Sequence, residues 1–149
     1  MKLRLEQLLV SNTHKRVCVA GASCIGKSTL IQTSGNHDWL DMDELLTKKV
    51  SDEEILYILG LDDDKPWTPE IGQRMRLLAN EHIQIKPGKP VFATVFLDCD
   101  VVIWMTTSMQ EFARRAKLRD VDPRDVHHMD ADLAAQFKNL TCERHVLLL

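Results

Sequence analysis

The chain has 149 residues, one ordinary domain's worth, and its 44% apolar and 28% charged content suits a buried core and excludes a disordered tail. Nineteen Lys+Arg against 22 Asp+Glu leave a formal charge of −3, and aromatics are sparse at 5%, which weighs against an electropositive, base-stacking nucleic-acid binder. The N-terminus MKLRLEQLLVSNTHKR lacks the apolar run of a signal peptide, no stretch reaches the roughly 18 apolar residues of a membrane span, and the four cysteines lack CxxC spacing; the expectation is a cytoplasmic chain with no disulfide scaffold and no membrane partner.

Residues 1–15 read as an amphipathic helix or flexible lead-in with Leu5, Leu8 and Leu9 on one side. Arg16 to Gly21 is a short apolar run ending in glycine, the pattern of a strand buried on both faces, and a helix should follow from Lys27 to a C-cap at Gly35. Asp38 to Asp41 predicts a second strand or its end. Ser51-Asp52-Glu53-Glu54 is a capping box opening a helix that Gly60 stops.

Thr68-Pro69-Glu70 starts what should be the longest helix, with a stripe of Ile71, Met75, Leu78, Ala79 or His82, and Ile85. Val91–Leu97 and Val101–Met105 are strand-like. Ser108-Met109-Gln110-Glu111 is a second capping box, and the helix behind it carries Arg114, Arg115, Lys117 and Arg119. Residues 120–123 read as a loop, residues 130–140 as a last helix, and His145–Leu149 as a terminal strand. Alternating strands and helices predict one α/β domain over 1–149 with a mostly parallel sheet.

Gly21-Ala22-Ser23-Cys24-Ile25-Gly26-Lys27-Ser28 matches G-x-x-x-x-G-K-[ST] at every fixed position. A chance match in a chain this size arises roughly once in two hundred. In such a loop successive backbone N–H groups form a nest for phosphate oxygens, reinforced by the following helix N-terminus. The nucleotide-binding set is therefore Gly21, Ala22, Ser23, Cys24, Ile25, Gly26, Lys27, Ser28 and the adjoining Thr29. Lys27 offers a charge to the β and γ phosphates of ATP, and Ser28 an oxygen to Mg²⁺. Neither NKxD nor a suitably spaced DxxG follows, so a GTPase is disfavoured.

Asp41-Met42-Asp43 follows at the end of the second strand, where i and i+2 carboxylates of an extended segment face one way. At the carboxyl end of a parallel strand both face the ligand crevice. One can hold Mg²⁺ through water and the other orient or deprotonate an acceptor hydroxyl; the plain alternative is an Asp N-cap for the next helix. Guanidinium forks at Arg115, Arg119 and Arg124 suit phosphate, with a solvated basic face as the alternative.

Together, the phosphate loop, a strand ending in D-x-D, an Arg-bearing central helix, the Val91-Phe92-Ala93-Thr94 strand, the Asp100-Val101-Val102-Ile103-Trp104 strand and the Arg-rich helix resemble the shikimate kinase/gluconate kinase group and related nucleoside monophosphate kinases. The resemblance implies a three-layer α/β/α P-loop NTPase fold with a five-stranded sheet in order 2-3-1-4-5 and a mobile lid over about 111–128. It implies Asp41 near Mg²⁺, Asp43 at the acceptor, Arg76 on an acidic substrate group, and lid arginines at the phosphates. The resulting roles are Lys27, Asp43 and Arg119 in catalysis, Arg115 beside the nucleotide, Asp43, Arg76 and Arg124 on the acceptor, and Ser28 with Asp41 on the metal.

Departures from that pattern are informative. Val91–Thr94 lacks the glycine-rich turn of shikimate kinases, so shikimate is a poor substrate candidate. Only Asp98-Cys99-Asp100 separates two strand-like runs, whereas a parallel crossover needs about ten or more residues; either the first strand is very short or the sheet is locally altered. The apolar run ending in Asp98 also resembles a Walker B strand and makes Asp98 a rival metal ligand. Relatives hold adenine with a loop beyond the last strand, and its lack here widens the expected base selectivity. Trp67 is a candidate for the acceptor pocket wall. The leading expectation is an ATP-dependent phosphotransferase acting on a small metabolite or nucleotide. The alternatives are a regulatory nucleotide-binding module without transfer and a polynucleotide 5′-hydroxyl kinase.

Overall fold

A computed structural model gives the structure, which describes residues 2–60 and 67–149. Five strands, β1 (Val17–Ala20), β2 (Leu40–Asp41), β3 (Val91–Ala93), β4 (Val101–Thr106) and β5 (Glu143–Leu148), form one sheet in the order β2-β3-β1-β4-β5, with every pairing parallel. Seven helices are found among the described residues: α1 (Lys2–Ser11), α2 (Lys27–Ser34), α3 (Met42–Thr47), α4 (Asp52–Leu59), α5 (Pro69–His82), α6 (Met109–Leu118) and α7 (Pro123–Phe137). The α/β class and strand order match the expectation. No described helix is long and apolar enough to cross a membrane.

Burial of β1 on both faces explains its unbroken apolar run, because alternate side chains feed two separate cores. Cys18 and Ala20 pack with α3, α5 and α7, joining Leu46, Leu78 and Leu133. Val17 and Val19 point the other way, onto Leu5 and Leu9 of α1 and Phe112 and Ala116 of α6. Caps fix several helix ends: Ser51, Thr68 and Ser108 accept from the N–H groups of Glu54, Ile71 and Glu111, and Gly35 and Gly60 close α2 and α4 in left-handed geometry.

Three expectations need correction. First, β3 ends at Ala93, so residues 94–97 are not strand although Val95, Phe96 and Leu97 are all buried. Residues 94–100 instead run back beneath β1 in irregular form. The Cys18 thiol meets the Val95 carbonyl, Phe96 packs on Phe137, and the N–H groups of Asp100 and Val101 reach the Arg16 carbonyl at the opposite end of β1. Seven residues span at most about 25 Å, ample for a four-residue strand, so this return needs no helix. Second, the last helix begins at Pro123, not near residue 130, because Asp122 accepts from Arg124 N–H and Pro123 occupies the first turn. Third, that makes α7, with 15 residues, longer than α5, with 14. Residues 111–128, the expected lid, comprise most of α6, a turn over 119–122 and the first turns of α7.

Candidate functional site

The glycine-rich loop leaves the carboxyl end of β1, with Gly21 N–H still bonded to the Ala93 carbonyl across the sheet. A Cβ on Gly21 would lie 2.8 Å from Ile25 Cγ2 and 3.0 Å from the Met105 carbonyl oxygen, so the loop closes onto β4 only without a side chain there. Cys24 and Gly26 both take positive φ, 68° and 106°, and this left-handed geometry turns the chain directly into α2 at Lys27. Ile25 is buried beneath the turn and anchors it. Helix α6 braces the loop from outside, where Arg115 Nη1 donates to the Ile25 carbonyl at 2.8 Å while its Nε donates to Glu111 at 2.8 Å.

A cavity of about 210 Å³ opens against this loop. Its lining combines Ser23, Cys24, Gly26, Lys27 and Ser28 of the loop, Asp41, Met42 and Asp43 where β2 passes into α3, Phe92, Ala93 and Thr94 at the end of β3, and Arg119 and Val121 behind α6. These linings converge at the carboxyl ends of β1, β2 and β3, where a parallel sheet places its ligands. Lys27 Nζ donates to the Gly21 carbonyl and, at 2.8 Å, to that of Ala22. Burial of this ammonium pushes its pKa down to about 8, against the pull of Asp43, Asp41 and Cys24 and with a further push from Arg119.

Asp41 Oδ1 accepts from Asp43 N–H at 2.8 Å and caps α3. The capping role thus falls to Asp41, and Asp43 occupies the first turn of the helix it introduces. Asp43 is solvent-accessible, yet the cleft removes enough water from its carboxyl to raise the pKa above the ordinary range; Asp41 adds to the rise and Lys27 opposes it. A carboxylate in that state is a better proton acceptor than a free aspartate.

Not every predicted site residue reaches this cleft. Lys27, Ser28, Asp41, Asp43 and Arg119 line it together. Thr29 and Arg115 line an adjoining groove between α2 and α6, which shares Cys24, Gly26, Ser28 and Arg119 with the cleft. Arg76 instead donates to Gln136 Oε1 at 3.1 Å, between α5 and α7. Arg124 is largely exposed and pairs with Asp122 at 2.8 Å. Trp67 is buried in the α5/α7 core, with its backbone N–H donating to Asp125 Oδ1; its predicted loop neighbours Lys65 and Pro66 lie outside the described residues.

Asp98 lies at the wrong end of the sheet for the Walker B role. Its side chain is 82% exposed and contacts Arg16 ahead of β1, and its backbone N–H donates to Asn80 Oδ1. Lining residues not expected from the sequence are Met42, Phe92, Ala93, Thr94 and Val121. The Val91-Phe92-Ala93-Thr94 strand was the available signal for Phe92, Ala93 and Thr94, since the carboxyl end of a central parallel strand lines the ligand crevice.

Magnesium suits the donor set in kind. Ser28 and Asp41 offer hard oxygen ligands, and Mg²⁺ is commonly held by one or two protein oxygens with substrate phosphates and water completing the shell. Among the described residues no group of three or more His, Cys, Asp or Glu side chains forms a self-sufficient metal cage. The chain matches no protein-family model and no curated protein.

Proposed function

We propose that this chain is a P-loop phosphotransferase that moves the γ-phosphate of ATP to the hydroxyl of a small acceptor. The single observation carrying this reading is that Lys27 and Ser28 of the glycine-rich loop line one small cleft together with Asp41 and Asp43. Here the phosphate cradle and a raised-pKa carboxylate share the same space.

In the proposed reaction the acceptor oxygen forms a bond to the γ-phosphorus as the bond to the β,γ-bridging oxygen breaks, releasing ADP. The hydroxyl proton passes to the Asp43 carboxylate. Lys27 and Arg119 face the charge that spreads over the transferring group, and Mg²⁺ neutralises charge on the phosphates when bound. Loop amides bind and orient the polyphosphate. Arg76 and Arg124, expected at the acceptor, are left out of the proposed machinery because their guanidinium groups are engaged elsewhere.

Titration with ATP and magnesium, followed by an assay for labelled γ-phosphate in product, tests the reading. Lys27→Ala should abolish binding and transfer. Asp43→Asn should spare nucleotide binding and suppress transfer by about 10²–10⁴-fold. Full transfer by Asp43→Asn would overturn its assigned role.

A further inference from the structure

The proposed cleft is electrically divided. Among the described residues its only cationic linings are Lys27 and Arg119, and both stand at the phosphate loop. Lys27 belongs to the loop itself, and Arg119 also lines the groove between α2 and α6 with Ser28 and Thr29. The junction of β2 and α3 supplies Asp41 and Asp43, and the linings from the end of β3, Phe92, Ala93 and Thr94, are uncharged. The two arginines whose sequence positions suggested an acidic acceptor are spoken for, Arg76 by Gln136 on α7 and Arg124 by Asp122.

Docking a nucleoside triphosphate sharpens the division. The triphosphate brings more negative charge than one magnesium ion neutralises, and in the proposed complex it lies against Lys27 and Arg119. An acceptor carrying carboxylate or phosphate would then meet Asp43 and the γ-phosphate with no cation of its own to pair with. Like charges in such a confined site cost several-fold to many-fold in affinity. Size acts in the same direction: about 210 Å³ is below the roughly 300–1,000 Å³ of sites for drug-sized ligands, and part of it must hold the transferring phosphate.

Resting on the phosphotransferase reading, we infer that the acceptor is a small hydroxyl compound with no negative charge, either an uncharged polyol or sugar or a hydroxyl-bearing amine. Thr94 offers its hydroxyl to such a molecule, and Asp43 takes its proton. Acidic acceptors, including sugar acids, sugar phosphates and nucleoside monophosphates, are disfavoured by Asp41 and Asp43.

Acceptor pairs that set an uncharged or cationic hydroxyl compound against an anionic one test this on the native chain: glycerol against glycerate, glucose against gluconate, ethanolamine against glycolate, and a nucleoside against its monophosphate. Each is assayed with MgATP for phosphorylated product, and MgATP binding is measured separately by calorimetry. The expected result is kcat/KM at least about tenfold higher for the uncharged or cationic member of every pair that reacts. Transfer that favours the anionic member overturns the inference and leaves the phosphotransferase reading standing. MgATP binding with no transfer to any compound overturns both, as does failure to bind MgATP.

Discussion

Arg115 donates to the Ile25 carbonyl at 2.8 Å, so helix α6 holds the glycine-rich loop by its backbone, not by a side chain. The same guanidinium is fixed by Glu111 one turn earlier, which leaves it little freedom to leave the loop. Arg115 therefore acts as a positioning residue in this conformation. Arg115→Ala should weaken ATP binding by about tenfold, the worth of one charge-assisted hydrogen bond to a loop that must be ordered before phosphate arrives. Arg115→Lys should recover only part of it, because one ammonium cannot serve Glu111 and Ile25 in the same planar fork. Calorimetric titration of both variants with MgATP checks this.

The two loop glycines should fail for different reasons. Gly21→Ala pushes a Cβ against Ile25 and the fixed Met105 carbonyl, and it should destabilise the fold by about 1–3 kcal/mol. Gly26→Ala has room, with nothing nearer than 3.8 Å, but its φ of 106° strains an L-residue by about 1–2 kcal/mol. Denaturant unfolding should register both changes. Nucleotide binding should suffer more in Gly26→Ala, where the loop can relieve its strain only by leaving the nest conformation.

Lys27 makes nucleotide affinity sensitive to alkali. Its pKa of about 8 lies below the ordinary lysine value, so the ammonium is charged below pH 8 and loses its proton above it. ATP affinity should therefore fall as pH rises from 7 to 9, and binding near pH 8.5 should take up a proton, since phosphate favours the charged form. Calorimetry in buffers of different ionisation heat reads that uptake. Stability has the opposite sign: the unfolded chain holds this proton up to the ordinary lysine pKa, so the Lys27 contribution to stability improves between pH 8 and 10.5. Asp43 runs the other way, its raised pKa making its contribution fall as pH climbs from 3.8 through the folded value, and the acid limb of transfer should lie above pH 3.8.

Asp41 and Asp98 can be separated by one pair of variants. Asp41→Asn keeps an oxygen for the α3 cap, so the helix end survives while the charge is lost. Its magnesium requirement for ATP binding should rise several-fold. Asp98→Asn alters an exposed contact with Arg16 at the far end of the sheet and should leave that requirement unchanged. Nucleotide titrations at stepped magnesium concentrations decide between them.

Much of this architecture is legible in the chain because its signals are local. The Ser51 and Ser108 capping boxes and the buried β1 run each depend on a few adjacent residues, and each folds as read. The misreadings share a different cause. Val95, Phe96 and Leu97 are apolar because they cover β1, and a continuous buried segment carries no period that separates it from strand. Asp122-Pro123 is both a turn signal and a helix start, and the buried positions Val126 and Leu133 one helical face apart decide for helix. Arginine placement was the least readable, since Arg76 turns to Gln136 while Arg119 lines the cleft, a difference set by tertiary neighbours that spacing alone does not reveal.

The short return from β3 to β4 has a mechanical consequence. Thr94 in the cleft lining and Asp100 beneath β1 are joined by a tethered cord, pinned along its course by Cys18 and Asn80 and tied off at the Arg16 carbonyl. Those ties, not its length, couple Thr94 to the sheet. Any tightening around a substrate must come from the α6–α7 side, and an insertion between residues 94 and 100 would spoil the binding hollow from below.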